Sequence, residues 1–411
     1  MMSSKKNMRL SWIWVLLCVL TIFLIVPVAR TISSYVETHW GISLFGYSVL
    51  FVVILTFLLC LYFLWYRLKI RALPNYIWLA SISLIYIYFT LKLWRRPEEA
   101  IHFLEYGLLG YLLFRALRHH IPDKTIYLAA FLIGGTVGIF DEILQWIIPR
   151  RYWDFRDIGL NALSVGLCQI AIWKGIRPKL PSPRVELRSV KIISCLLAAN
   201  LVLIGLCLYN TPHHVKSYTK LLPFLSFLKK EEAMSEFKFK HKDPEIGAFF
   251  SRLTLIELAK TDRERAEEYG LILAEWRPKK YGDFLISFPG WAHPFLHEMR
   301  VHIFRRDRRF SLAKKTDHPE ERRDNLFISY KENLILEKYF GKTLQKSPYK
   351  WPKNMVEQIK TEIKEDAFYR SPVSAAFFIP LEGIKLWGII FLLLLILFLS
   401  NLWISRHSQK A

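Results

Sequence analysis

The chain has 411 residues, of which 53% are hydrophobic and 15% aromatic, and its formal net charge is +22. This composition is far more apolar than that of an ordinary soluble domain, and long apolar runs indicate membrane-spanning helices. In a membrane protein, an excess of basic residues indicates cytoplasmic anchoring and contact with anionic lipid. The sequence contains no zinc-finger spacing, RNP motif or basic zipper, so we expect no nucleic-acid partner.

Eight stretches approach the roughly 20 residues that a helix needs to cross the hydrocarbon layer. They are Ser11–Ala29, Ser43–Tyr66, Tyr76–Trp94, Ala100–Leu117, Thr125–Ile148, Asp157–Trp173, Val190–Tyr209 and Ile384–Trp403. The fourth and the sixth are the least apolar, because they contain His102, Glu105 and Asn161. The sequence therefore predicts an all-α protein, a polytopic transmembrane helical bundle of about eight spans.

The orientation of these spans follows from their basic flanks. Basic residues cluster at the N-terminus, in residues 67–71, in residues 174–188 and after the last span. The positive-inside rule places all four clusters in the cytoplasm. Arg150, Arg151 and Arg156 then fall on the outer side against this rule, and we expect them to pair with Asp141, Glu142, Asp154 or Asp157.

Composition and charge divide the chain into five parts. Residues 1–75 are predicted to form an N-terminal transmembrane hairpin, and residues 76–174 a transmembrane core. Residues 175–209 are a basic cytoplasmic loop followed by the seventh span, and residues 384–411 are the last span with a short cytoplasmic tail. Between them lies a large polar segment, residues 210–383, which we expect on the extracytoplasmic side.

Residues 210–383 have interleaved basic and acidic residues, as a folded soluble surface does. Apolar residues recur at helical spacing in Phe249–Leu258, Arg263–Trp276, Phe295–Phe304, Asn325–Phe340 and Met355–Phe368. Thr261 and Asp262 supply N-cap chemistry before the second of these helices. The sequence thus predicts a mainly helical extracytoplasmic domain, with residues 221–228 and 377–379 at the membrane interface.

Two polar clusters of this domain have a structural and a functional interpretation. His293, His297 and His302 accompany Glu298, but their order is not that of a zinc protease, and we interpret them as surface or interface histidines. The basic run 305–309 is either a solvated helix end or a contact with anionic head groups or envelope polymers. We assign no metal or cofactor to either cluster.

The polar residues of the core spans lie at similar depth. At about 1.5 Å rise per residue, His102, Glu105, Asp141, Glu142, Gln145 and Asn161 all fall within roughly 12 Å of the outer ends of their helices. Within each helix they are spaced by three or four residues, and therefore share one face. Short connections make the three helices neighbours. We therefore expect an outward-facing polar pocket, with Arg150 and Arg151 at its rim for an anionic group such as a lipid phosphate.

Three other interpretations of these residues stay open. The first is a buried salt-bridge network, Arg150 or Arg151 with Asp157 or Asp141, that fixes helix register. The second is ligation of a hard cation by the histidine and carboxylates at positions 102, 105, 141 and 142. The third is general acid–base catalysis by Glu142 or His102 on a lipid-linked substrate.

At these residues the sequence resembles the VanZ-like family. The similarity rests on an H-x-x-E-Y motif at residues 102–106, a D-E-x-x-Q motif at residues 141–145, and then Arg150 or Arg151, Asp157 and Asn161. It covers about residues 76–174 and implies an integral membrane protein of the bacterial cell envelope. The chain departs from the short members of that family by three flanking spans and by the large domain before the last span.

The function predicted from the sequence is binding of an anionic lipid or a lipid-linked envelope precursor in the outward-facing pocket. The expected ligand-binding residues are His102, Glu105, Asp141, Glu142, Gln145, Arg150, Arg151, Asp157 and Asn161. One alternative is a membrane hydrolase or transferase that acts on this lipid. The other is a membrane-anchored scaffold whose soluble domain recruits envelope proteins or anionic polymers. The expected location is the bacterial inner membrane.

Overall fold

The computed structural model describes residues 2–94, 97–148, 151, 153–178, 181–229, 233–363, 368–374, 378–379 and 383–408. The chain forms two compact units. Residues 1–207 and 384–411 make up the first, which we call the membrane unit, and residues 208–383 make up the second, which we call the polar unit.

The membrane unit is built from helices alone in the described part of the chain. Its helices are α1 (Met2–Ile25), α2 (Ala29–Trp40), α3 (Ser43–Tyr62), α4 (Leu73–Lys92), α5 (Ile101–Leu117), α6 (Thr125–Ile147), α7 (Phe155–Ile170) and α8 (Leu187–Tyr209). A π-helical segment of six residues extends each of two helices, α3 by Phe63–Leu68 and α7 by Ala171–Ile176. A 3-10 turn (Pro97–Ala100) precedes α5. The short helix α2 lies outside every predicted span.

The polar unit is mainly helical, as predicted. Its helices are α9 (Pro212–Leu221), α10 (Leu255–Glu264), α11 (Ala266–Glu275), α12 (Tyr281–Ser287), α13 (Pro294–Lys315), α14 (Pro319–Tyr339), α15 (Gly341–Lys346) and α16 (Lys353–Glu362). Its strands are β1 (Glu236–Phe237), β2 (Phe239–Asp243), β3 (Gly247–Ser251), β4 (Tyr369–Arg370) and β5 (Phe378–Ile379). The last helix, α17 (Gly383–Ser408), returns the chain to the membrane unit.

Seven helices of the described chain are long and apolar enough to cross a membrane. They cover Lys6–Ile25, Ser43–Leu68, Leu73–Lys92, Pro97–Leu117, Thr125–Ile147, Leu187–Tyr209 and Gly383–Arg406. The chain is thus an all-α, polytopic helical protein. The predicted sixth span, which corresponds to α7, is not among the seven, since charged and polar residues interrupt its apolar sequence near both ends.

Helix α7, with 16 residues, nevertheless approaches the 23 residues of α6 when its six-residue π-helical extension is added. At one end of the pair the backbone N–H of Asp154 donates to Glu142 Oε2 at 3.1 Å. At the other end the rings of Tyr127 and Trp173 stack with their centroids 5.8 Å apart. Helix α7 with its π-helical extension therefore returns antiparallel beside α6 along the whole of that span.

Two glycines of α6 allow α7 to pack closely. A Cβ atom at Gly134 would lie 2.7 Å from Val165 Cγ2, and one at Gly138 would lie 3.0 Å from Asn161 Cβ. Small residues at such contacts let helix backbones approach each other in membranes. Gly159, in α7, has no such role, because a Cβ atom there would meet nothing within 4 Å.

The sheets of the polar unit correct one predicted helix. Strands β2 and β3 pair antiparallel with Lys240 opposite Phe250, and β3 pairs parallel with β4. Strands β1 and β5 form a separate parallel pair. The predicted helix Phe249–Leu258 is wrong in its first half, because residues 247–251 are a fully buried strand. An apolar run this short does not distinguish a buried strand from a helix.

The N-cap prediction at Thr261 and Asp262 is also wrong. Helix α10 begins earlier, after Thr254, whose side chain forms a reciprocal capping box with Glu257. Asp262 lies inside α10 and is buried, and its carboxylate accepts the backbone N–H groups of Lys342 and Thr343 at 2.9 Å each. It therefore caps the first turn of α15, a contact between distant parts of the chain.

The polar unit buries charged residues that were predicted at its surface. His302 is 1% exposed, and its Nδ1 lies 2.5 Å from Glu332 Oε2. Arg306, also 1% exposed, donates to Asn333 Oδ1 at 3.0 Å and to the Tyr349 carbonyl at 2.8 Å. The surface interpretation of His302 is wrong. The helix-end interpretation of residues 305–309 is wrong too, because α13 continues to Lys315.

Glu332 is the centre of this buried network. Besides His302, its carboxylate accepts hydrogen bonds from Tyr369 Oη at 2.6 Å, Ser371 Oγ at 2.9 Å and Arg305 Nε at 2.9 Å. Burial alone would raise the pKa of Glu332, but the neighbouring charges and hydrogen bonds outweigh burial and lower it. The charged form of Glu332 therefore holds α13, α14 and β4 together.

Candidate functional site

The membrane unit contains a half-open polar cavity of about 370 Å³. Its walls come from the α1–α2 turn, α2, the start of α3, the beginning of α5, the end of α6 and the segment that leads into α7. The predicted residues that line it are His102, Glu105, Asp141, Gln145, Arg151 and Asp157. Glu142 and Asn161 are fully buried but are not among the lining residues. Arg150 lies outside the described residues.

The part of the cavity wall at the start of α5 carries two carboxylates and an imidazole. Glu98, His102 and Glu105 are spaced by four and three residues, which puts them on one side of the helix. His102 Nδ1 lies 3.4 Å from Glu105 Oε2. In the described part of the chain, neither this nitrogen nor Glu98 Oε2 has a hydrogen-bond partner, although both are buried.

On the α6 wall, Asp141 is held from one side only. Its Oδ2 accepts a hydrogen bond from Tyr106 Oη at 3.1 Å. Its Oδ1 is buried and has no partner among the described residues. Asp141 is 1% exposed and lines the cavity, so this oxygen is a buried hydrogen-bond acceptor beside the cavity.

Glu142 connects the end of α6 to the start of α7. Gln145 Nε2 donates to its Oε1 at 2.8 Å, and the backbone N–H of Asp154 donates to its Oε2 at 3.1 Å. Gln145 in turn accepts a hydrogen bond from Arg151 through its Oε1. Glu142 therefore orients Gln145, and Gln145 orients Arg151 at the cavity wall.

Arg156 is paired as the sequence suggested. Its guanidinium lies 3.5 Å from Asp154 Oδ2 and 3.8 Å from Asp157 Oδ1, which confirms the expected partners. It also donates to both oxygens of Glu99 at 2.9 and 3.0 Å, a bond between α7 and the turn before α5. Arg151, by contrast, contacts Gln145 and no carboxylate within 4 Å in the described part of the chain. The alternative of a salt bridge from Arg151 to Asp141 or Asp157 is therefore wrong.

Asn161 is buried behind this wall. It is fully inaccessible and packs against Gly138, and neither of its amide atoms has a partner among the described residues. Asp157 Oδ1, one turn earlier, also lacks a hydrogen bond. An unsatisfied buried polar atom costs about 1–3 kcal/mol, so such atoms are rare in native proteins. Their concentration around one cavity marks it as the candidate functional site.

Sequence reasoning missed the contribution of α2. Arg30, in the first turn of α2, lines the cavity together with Ser33. No motif marks these positions, and they are far from the core motifs in sequence. Two further residues contact the site residues: Tyr106 donates to Asp141, and Glu99 accepts from Arg156. Tyr106 could have been found from the sequence, because it is the last residue of the H-x-x-E-Y motif.

The fold and the cavity define a multi-pass helical membrane protein with a polar site among its helices. Residues 12–176 match the model of the VanZ/LLP1 family. This part of the chain is therefore a VanZ-like membrane region, and the predicted resemblance is confirmed. No curated protein and no solved structure matched the chain.

The match begins well before residue 76, where the motif-bearing core was expected to start. It includes α1, α2 and α3, which supply part of the cavity wall. The first two spans, interpreted from the sequence as additions to the family pattern, thus belong to the matched region.

Proposed function

We propose that this chain is a cell-envelope membrane protein that binds an anionic lipid or a lipid-linked envelope precursor in the cavity of its membrane unit. The observation that carries the proposal is the presence of three arginines, Arg30, Arg151 and Arg156, on the wall of one cavity. Arginine is the side chain best suited to bind a phosphate, because its planar fork donates two parallel hydrogen bonds.

Two of these arginines are oriented before any ligand arrives. Gln145 holds Arg151, and Glu99 holds Arg156 through two hydrogen bonds. A guanidinium whose position is fixed by neighbours loses less conformational entropy when it binds a ligand. This arrangement favours recognition of a defined head group over diffuse attraction to a charged surface.

The cavity also has apolar walls, as an amphiphile requires. Ile22, Ile25 and Val26 of the α1–α2 region line it, together with Phe45 of α3 and Ile101 of α5. These residues belong to helices that cross the membrane or adjoin such helices. A lipid bound with its phosphate at the arginines would keep its chain among apolar side chains.

Location and topology are part of the proposal. We place the protein in the bacterial inner membrane, with the cavity and residues 210–383 on the extracytoplasmic side, because the basic loops then lie in the cytoplasm. A periplasmic reporter fused at Lys279 should be active and one fused at Arg177 inactive. The opposite pattern would move both cavity and polar unit to the cytoplasm.

Lipid binding can be tested on the full chain in nanodiscs of neutral lipid. We expect native mass spectrometry to detect a retained phosphate-bearing lipid, and Arg151→Gln to weaken binding of polyprenyl phosphate about tenfold, as expected for a lost charge-assisted bond. Arg308→Gln is a matched control, since Arg308 is exposed in the polar unit. Equal binding by both variants would refute the proposed site.

A second candidate is a hydrolase or transferase that acts on the bound lipid. His102 favours it, because this imidazole lines the cavity beside Glu105. Glu142 does not line the cavity and has both oxygens occupied, so a catalytic role would fall to His102. Turnover of radiolabelled polyprenyl phosphate or phospholipid that disappears in His102→Gln, with binding retained, would support it.

The scaffold alternative predicts that the polar unit is essential for function. Deletion of residues 230–370 should abolish the function of a scaffold, whereas a lipid-binding protein should retain its ligand.

A further inference from the structure

The arginines account for only part of the cavity's chemistry. Three carboxylates on its wall, Glu98, Asp141 and Asp157, each carry one buried oxygen without a hydrogen-bond partner in the described part of the chain. An ionised carboxylate only accepts hydrogen bonds. A phosphate has no donor to offer and is repelled by these groups, so phosphate binding leaves the three oxygens unexplained.

These three oxygens are distributed around the wall, and that of Asp157 also lies 3.8 Å from the Arg156 guanidinium, beyond hydrogen-bond distance. They come from the turn before α5, from α6 and from α7. Among the described residues, no three His, Cys, Asp or Glu side chains are grouped closely enough to hold one metal ion. A single point charge, such as one ammonium group, is therefore a poor match for all three acceptors. Several donors spaced along one ligand fit them better.

We propose that the head group bound here is a phosphorylated sugar or polyol, whose hydroxyls donate to Glu98, Asp141 and Asp157 while Arg30, Arg151 and Arg156 bind its phosphate. This inference rests on the proposed lipid-binding function and specifies the ligand class. A hydroxyl donates one hydrogen bond to a carboxylate, and adjacent hydroxyls on a ring or chain supply several such donors at fixed spacing. The bonds to ionised acceptors are of the stronger, charge-assisted kind.

The size of the site agrees with this ligand class. A cavity of about 370 Å³ lies within the range of sites that hold small molecules. Asp141 has the deepest placement, with 1% exposure and one oxygen fixed by Tyr106. Its free oxygen is therefore positioned before binding, and we expect it to make the largest contribution to sugar recognition.

The test compares matched lipids on the full chain in neutral nanodiscs. The probes are polyprenyl phosphate with and without a hexose, phosphatidylinositol against phosphatidic acid, and phosphatidylethanolamine. We expect the hydroxyl-bearing member of each pair to bind about tenfold more tightly, the effect of one good charge-assisted hydrogen bond. Comparison of the two pairs shows whether the lipid is a polyprenyl or a glycerol lipid.

The decisive variants are Asp141→Asn and Asp157→Asn, with exposed Glu264→Gln in the polar unit as control. Each Asn variant should remove most of the preference for the hexose. Binding of bare polyprenyl phosphate should become tighter, because a repulsive carboxylate is gone. Two sites on different helices protect the test against one variant that fails to fold.

The outcomes separate this inference from the function on which it rests. If bare and hexose-bearing lipids bind equally and neither Asn variant changes the ratio, the sugar assignment is wrong and lipid-phosphate binding stands. If phosphatidylethanolamine binds most tightly, a single ammonium is the recognised group and the assignment is also wrong. If none of the phosphate lipids binds, the proposed function itself fails.

Discussion

Glu142 offers the sharpest test of how the cavity is held together. Both of its oxygens face donors, Gln145 Nε2 at 2.8 Å and the Asp154 backbone N–H at 3.1 Å. In Glu142→Gln, one of these oxygens becomes an NH₂ group that faces a donor. Either the Asp154 N–H loses its acceptor, or Gln145 must rotate its amide and turn its own NH₂ group toward Arg151.

The size of the effect follows from these contacts. The variant loses one hydrogen bond to a charged group and leaves one buried donor unsatisfied, which together cost about 2–5 kcal/mol. We expect a lower unfolding midpoint for the full chain in nanodiscs, with exposed Glu264→Gln unchanged. We also expect binding of polyprenyl phosphate to weaken about as much as in Arg151→Gln, because Glu142 acts on the ligand through Gln145 and Arg151.

A double-mutant cycle distinguishes this positioning role from a direct one. If Glu142 acts through Arg151, the double variant Glu142→Gln with Arg151→Gln should bind polyprenyl phosphate no more weakly than Arg151→Gln alone. Additive losses would mean that Glu142 contributes independently, and unchanged binding in Glu142→Gln would refute the relay.

Three further predictions concern packing, capping and pH. Gly134→Leu should disrupt the α6–α7 contact, since even a Cβ atom at this position would lie 2.7 Å from Val165. We expect a lower yield of folded protein in a detergent-stability assay. Gly159→Ala, whose Cβ would meet nothing within 4 Å, should be tolerated in that assay. Thr254→Ala should cost about 1 kcal/mol and increase hydrogen exchange in the first turn of α10, since it removes the capping box. Because the folded pKa of Glu332 is lowered, its contribution to stability is present above its ordinary pKa of about 4.3 and is lost as the pH falls through the folded value. Hydrogen exchange in α13 and α14, corrected for intrinsic rates, should rise on acidification, and Glu332→Gln should remove most of this dependence; an identical acid response in the variant would contradict the assignment.

The polar residues that line the cavity from the core helices could be placed from the sequence because helix geometry determines their relative positions. Spacing by three or four residues fixes a face, and short connections fix which helices are neighbours. His102, Asp141 and Asp157 follow from these two rules and line one cavity. The position of Arg30 cannot be derived from these rules, because it depends on how α2 packs against the core. That contact joins residues about 70 positions apart or more, and no local pattern encodes it.

The polar unit shows a second limit of sequence reasoning. Apolar spacing predicted helices within α13 and α14, the two longest of this unit, but it did not predict the burial of Arg306. A run of four arginines around one aspartate is typical of an exposed surface. Here Arg306 is buried because Asn333, the Tyr349 carbonyl and the Trp351 ring, 4.4 Å from the guanidinium, surround it. These partners come from other elements of the unit, so tertiary packing decides the outcome.

The two units of the chain treat buried polar groups differently, and this contrast strengthens the assignment of the cavity. In the described part of the polar unit, the one buried side-chain atom without a hydrogen-bond partner is Thr343 Oγ1, and Glu332 and Glu298 have partners at every oxygen. In the described part of the membrane unit, most of the buried atoms without a hydrogen bond lie at or behind the cavity wall, on Glu98, His102, Asp141, Asp157 and Asn161, and the others belong to Trp153, Gln169 and Asn401. The buried carboxylates Glu332 and Glu298 of the polar unit thus receive their hydrogen bonds from the protein itself. Because leaving such groups without hydrogen bonds inside a membrane costs several kcal/mol, their concentration at one cavity supports the proposal that a ligand binds there.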